Sequence, residues 1–159
     1  GILLQTTTKW TSISNYTGWI LVNDIFNKLL PYMTVTFDYR YVKPDPNHSV
    51  VKNPEAENPE SLSESEWGAP NVEMGIRKEG RDEKIKLAEV QNADLKAGEW
   101  VTVTRSDLTS ADGALAGDNG NLGFYIKLSE GRLYIDIRNF RIELKESDRA
   151  DINIILTEG

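Results

Sequence analysis

Apolar and polar residues alternate with a period of two along most of this chain, the signature of half-buried strands. In residues 34–42 (T-V-T-F-D-Y-R-Y-V), Val35, Phe37, Tyr39 and Tyr41 share one face, while Thr36, Asp38 and Arg40 share the other. Val72, Met74 and Ile76 alternate with Glu73, Gly75 and Arg77, and Val101 and Val103 alternate with Thr102 and Thr104. Leu122, Phe124, Ile126 and Leu128 alternate with Gly123, Tyr125 and Lys127. Residues 133–144 alternate twice but slip phase at Arg138-Asn139, which predicts a β-bulge or a strand that changes sheets. Ile152, Ile154 and Leu156 suggest a last strand; residues 2–8 and 19–22 are weaker candidates. Helix is scarce, with 23–30 fitting one short turn and 92–95 a turn between strands.

Two segments interrupt the alternation. Residues 43–70 hold five of the six prolines, and six acidic residues fall between Asp45 and Glu66. Proline lacks a ladder donor and carboxylates resist burial, so this reads as a long surface loop inserted between strands. Residues 106–121, with Asp107, Asp112, Asp118 and Asn119 among glycines, read as a flexible hairpin connection. Many short strands separated by Gly, Pro, Asn and Asp clusters indicate an all-β chain folded as an antiparallel two-sheet β-sandwich or a barrel. Its expected interior is Val35, Phe37, Tyr39, Val72, Met74, Val101, Val103, Phe124, Ile126, Ile135 and Phe140.

Length and composition narrow the function. The 159 residues suit one domain, 1–159, with the loop insertion at about 43–70. No apolar run approaches the roughly 18 residues of a membrane span, so no membrane insertion is expected. With 25 Asp and Glu against 18 Lys and Arg, the net charge of −7 repels a phosphate backbone, so nucleic acid is not an expected partner. The absence of cysteine removes thiol nucleophiles, disulfides and thiolate metal sites, and the single His48 makes a Ser-His-Asp triad improbable.

Candidate chemistry is sparse. Asp38 and Glu73 could face each other on neighbouring strands as a carboxylate pair for glycoside hydrolysis, though solvated strand-face acids are the plainer reading. No nucleophile elbow, phosphate loop or zinc signature is present, and the chain is read as a non-enzyme. Asp112, Asp118 and the strand residue Asp136 offer hard oxygens for a structural calcium ion, without the spacing of an EF-hand. The aromatic residues matter more. A sugar ring packs its axial C–H groups on an aromatic face while flanking polar groups bond its hydroxyls. Trp100, preceding inward Val101 and Val103, reads as core; Trp19 and Trp67 are the candidates for an exposed wall. Asp38, Arg40, Glu73, Arg77, Tyr125 and Lys127, all on outward strand phases, form the candidate saccharide-binding face. Unpaired heads there would bind hydroxyls, whereas cross-strand ion pairs would only solubilise the sheet.

The C-terminal stretch, with Gly123-Phe124-Tyr125-Ile126 and then 131–143 (G-R-L-Y-I-D-I-R-N-F-R-I-E), resembles the closing strands of jelly-roll carbohydrate-binding modules. The Arg-Asn step followed by apolar, basic and Glu residues is similar to modules of bacteriophage tail and baseplate proteins. Gly18-Trp19, the strand 32–40 and Gly98-Glu99-Trp100 fit the same pattern. The resemblance implies a galactose-binding-like jelly roll that is non-catalytic and meets a cell-surface or cell-wall polysaccharide. Its setting would be virion (phage tail) or extracellular, with other tail or baseplate proteins as further partners. The alternatives are a polysaccharide-targeting module of a secreted bacterial glycoside hydrolase and a structural β-sandwich domain making protein–protein contacts in a virion.

Overall fold

The computed structural model describes residues 2–6, 10–14, 21–42, 68–79, 83–109, 115, 117–130 and 133–158. Among these residues nine strands follow in order: β1 (Ile2–Thr6), β2 (Trp10–Ser14), β3 (Leu21–Val22), β4 (Met33–Val42), β5 (Val72–Lys78), β6 (Lys84–Val90), β7 (Trp100–Arg105), β8 (Gly120–Leu128) and β9 (Leu133–Leu144). Helix α1 (Asp24–Leu29) precedes β4, and α2 (Arg149–Glu158) follows β9. A four-stranded antiparallel sheet runs β1-β9-β4-β7, and a five-stranded one runs β2-β8-β5-β6 with β3 pairing the start of β8. Successive strands alternate between the sheets except at β2–β3 and the β5–β6 hairpin, which gives the antiparallel β-sandwich expected from the pattern, in the jelly-roll form that the resemblance implied.

The sheets pack through the apolar phases read from the sequence. Phe37 of the four-stranded sheet meets Phe124 of the five-stranded sheet edge-on, with ring centroids 5.1 Å apart. Phe140 completes the cluster, 6.2 Å from Phe37 and 5.6 Å from Phe124. The phase slip in β9 is a bulge. Thr36 pairs with Arg141 but Asp38 pairs with Arg138, so Asn139 and Phe140 together face Phe37. Asn139 absorbs the extra residue at φ 55°, a left-handed conformation that asparagine tolerates better than most residues. The slip keeps Ile135 and Ile137 inside before the bulge and turns Phe140 and Ile142 inward after it.

Several expectations change. Ile152, Ile154 and Leu156 lie on helix α2, not on a strand. Ile152 and Ile155, three apart, face the core, while Ile154 and Leu156 are about half exposed. A short apolar run does not separate the two periods, and acidic Asp148 and Asp151 favour a helix start. Strands β2 and β6 were not anticipated; β6 hides its alternation of Ile85 and Leu87 among charged neighbours. Val101 is on the inward phase, yet it remains 36% exposed because β7 is an edge strand. Residues 106–119 join β7 in one sheet to β8 in the other, so they are a crossover and not a hairpin. Leu108 and Leu115 are buried, and Gly117 N donates to Asp24 Oδ1 at 2.7 Å. Residues 23–30 hold α1, capped by Asn23 Oδ1, which accepts from Ile25 N and Phe26 N. Of the loop expected at 43–70, residues 43–67 lie outside the described residues.

Candidate functional site

The outward face of the four-stranded sheet gathers polar heads around one indole. Trp100 opens β7 and is registered opposite Arg40 of β4. Arg138 Cζ lies 3.6 Å from the centroid of the Trp100 ring and Arg40 Cζ lies 4.6 Å from it, so the ring holds two guanidinium groups by cation–π attraction. Asp38, one row along β4, accepts from the Thr102 hydroxyl at 2.7 Å, Asn139 Nδ2 at 2.9 Å and Arg138 Nε at 3.1 Å. Arg40 forms an ion pair with Asp136 of β9. The bulge builds part of this site, because the left-handed turn at Asn139 adds a second polar residue to the outward side beside Arg138.

The electrostatics follow from these contacts. The Thr102 hydroxyl bond, then the Asn139 amide and the Arg138 guanidinium, hold the Asp38 carboxyl below its ordinary range against a smaller opposing effect of burial. Asp38 is therefore a fixed anion at neutral pH. Three strands thus supply one ring, two cations, two carboxylates, an amide and a hydroxyl, each held in place by its neighbours.

The outward face of the five-stranded sheet is built differently. Gly75 of β5 is registered against Tyr125 of β8. A Cβ at Gly75 would stand 2.6 Å from Tyr125 Cε1, so only glycine lets the ring lie flat across the strand. The phenol then donates to Glu73 Oε2 at 2.8 Å, and Lys84 Nζ stands 3.7 Å from the same carboxylate. Burial, reinforced by Glu73, pushes the Tyr125 phenol above its ordinary value, so it stays a neutral donor. Glu73 is registered between Lys127 and Glu89, and these three line an open depression with Asn71 and Ser129.

The structure divides the expected saccharide face. Asp38 and Arg40 are on one sheet, whereas Glu73, Arg77, Tyr125 and Lys127 are on the other. The sheets meet through their apolar faces, so the two sets point to opposite sides of the sandwich and do not form one patch. Period two fixed the face of each residue but not the sheet to which its strand belongs. For the same reason Asp38 and Glu73 do not converge as a carboxylate pair. Asp38 and Arg40 are engaged in ion pairs, not unpaired as a binding head was expected to be. Tyr125, expected to stand out from the sheet, is fully buried. Trp19, Trp67 and Asp112 lie outside the described residues. Of the other candidate calcium ligands, Asp136 pairs with Arg40, while Asp118 is at the entry to β8, where its carbonyl accepts from Lys78 Nζ at 2.7 Å. Among the described residues no group of three or more acidic or histidine side chains is placed to hold a metal ion. No helix among them is long and apolar enough to cross a membrane.

Trp100, expected in the core, stands instead on the outward face of its sheet. Strict alternation places it with Thr102 and Thr104, opposite the inward Val101 and Val103, so the signal was its parity. Arg138, Asn139 and Thr102 were visible only as outward residues of their strands.

No protein-family model matches the chain, and no curated protein matches it. Among solved structures the chain is similar to one described as "CBM4 structure and function", with 9% sequence identity and a TM-score of 0.38, over 86% of this chain and 73% of that one.

Proposed function

We propose that this chain is a non-catalytic carbohydrate-binding module, and that its saccharide site is the outward face of the four-stranded sheet centred on Trp100. One observation carries this reading: a partly exposed indole stands on a sheet face beside polar heads that are already fixed. The part of the Trp100 ring that the guanidinium groups leave open offers an apolar surface to sugar C–H groups, and Asn139, Thr102, Asp38 and Arg138 offer donors and acceptors to hydroxyls. A guanidinium has five N–H donors, and Arg138 Nε uses one of them on Asp38. The ion pairs hold these heads before a ligand arrives, which lowers the ordering cost of binding.

The parent protein in this proposal is a phage tail or baseplate component that adheres to host cell-wall saccharide. Weak single sites would there be multiplied by copy number. The alternative setting is the targeting module of a secreted glycoside hydrolase. Pairing of Asp38 and Arg40 within the sheet favours a second reading, a structural sandwich that contacts neighbouring virion proteins.

The test is binding of the labelled chain to a glycan array and to Gram-positive cell walls, with Trp100→Ala beside the parent. The expected result is binding by the parent and its loss in Trp100→Ala, with the fold retained by circular dichroism. Equal binding by both would move the site to the Glu73–Lys127 face or to the loop rim. No binding by the parent would make the structural reading the better one.

A further inference from the structure

We propose that β7 is a self-pairing edge through which two copies of this chain join their four-stranded sheets. The starting point is a contrast between the two edge strands on this side of the sandwich. β6 is guarded: it carries Lys84 and Lys86, it bulges between Lys86 and Ala88, and Arg105 donates to the carbonyls of Lys86 and Leu87 at 3.2 and 2.8 Å. Lysines, bulges and sealed carbonyls are the usual protections of a sheet edge. Among the described residues β7 has none of them. Its sequence, W-V-T-V-T-R, holds only strand-forming residues up to a terminal arginine, with no proline, glycine or lysine. Among the described residues no strand pairs with its second edge, and Val101, on the core phase, is left 36% exposed.

The sequence of this edge is complementary to itself in one antiparallel register. A two-fold axis perpendicular to the sheet keeps each face with its own kind, so a residue must meet a partner residue of the same parity. With Thr102 on the axis, Thr102 meets its own copy and Trp100 meets the copy's Thr104 on the outward face. On the inward face Val101 meets the copy's Val103, and Glu99, the exposed residue just before β7, comes beside the copy's Arg105. Two apolar pairs and two opposite-charge pairs therefore form at once, each of a kind that stabilises cross-strand neighbours. Arg105 is already extended in place by Asp107, whose Oδ1 accepts from its Nε at 2.7 Å. Six residues per copy make a small interface, so the dimer is weak and concentration-dependent.

The experiment is sedimentation velocity on the whole chain over a dilution series, with three variants. The parent should pass from monomer to dimer in the micromolar range. Val101→Lys puts a charge on the edge and should remain monomeric there with unchanged circular dichroism. Glu99→Arg and Arg105→Glu should each weaken association about tenfold by setting like charges opposite. Their equimolar mixture should recover it, because each variant then supplies the charge that the other lacks. Arg105 also holds β6, so if Arg105→Glu fails to fold, the weakening by Glu99→Arg alone decides the charge pairing. A parent that stays monomeric at every concentration overturns the proposal. So does a Val101→Lys dimer as tight as the parent's, which would place association on another surface, such as the exposed Ile154 and Leu156 of α2.

Discussion

Asp38 accepts the Nε–H of Arg138 at 3.1 Å in the last row of β4–β9 pairing before β9 gains its extra residue. The ion pair and the bulge belong to one device, because the residue that the bulge turns outward, Asn139, donates to the same carboxylate oxygen. Candidate binding chemistry thus stands at the one irregular step of this seam.

The first prediction concerns acid. Asp38 titrates below its ordinary value of 3.8 in the folded chain. A depressed carboxylate contributes stability that is complete above the unfolded value and is lost as pH falls through the folded one. Asp38→Asn should therefore be less stable than the parent at pH 7, and the gap should close at an acid pH below the lowered folded value, where the parent's carboxylate is also neutral. Urea midpoints at the two pH values measure this. A gap that is the same at both would show that the carboxylate's charge contributes nothing.

Gly75 should accept no side chain. A Cβ there meets both Tyr125 and the Ile85 carbonyl, and the backbone atom has no room to swing aside. Gly75→Ala should cost roughly 2–4 kcal/mol, the scale of overpacking combined with a displaced buried ring. A melting temperature within a degree or two of the parent's would refute the close approach of ring and strand.

Tyr125 should behave as a core residue despite its outward phase. Tyr125→Ala should cost roughly 3–5 kcal/mol, and Tyr125→Phe, which loses only the bond to Glu73, about 1 kcal/mol. The parent's phenol should not ionise at any pH at which the fold survives, as followed by ultraviolet difference absorbance. A phenol titrating near 10 in folded protein would contradict its burial.

Asn139 separates backbone from side chain. Asn139→Gly keeps the left-handed conformation and loses only the amide bond to Asp38, so it should cost about 1 kcal/mol or less. Asn139→Val must force a β-branched residue to φ 55° and should cost about 2 kcal/mol or more. Equal effects in chemical denaturation would mean that the bulge is not held in this conformation.

The sequence carried the fold where burial enforces alternation. Val35, Phe37, Val72, Met74, Phe124 and Ile126 are fully buried because a one-residue slip would expose the whole set. The β9 bulge was legible for the same reason, since Ile137 and Phe140 lie three apart and both must face inward. Helix α2 was not legible, because Ile152 to Leu156 is too short for its period to declare itself. The candidate site was half legible. Asp38 and Arg40 were found by phase, but their partners Arg138 and Trp100 come from strands about 100 and 60 residues downstream, and pairing across that distance leaves no local mark.

Strand β9 lies between β1 and β4, so the four-stranded sheet has a gap at its centre until residues 133–144 are in place. Before then β1 has no partner in this sheet and β4 has only β7 along its other edge, so a chain emerging from a ribosome holds sticky ribbons until β9 is made. Pairing over such separations makes loop closure the slow step. For this chain the hazard of aggregation is set less by the finished surface than by the interval before β9 arrives.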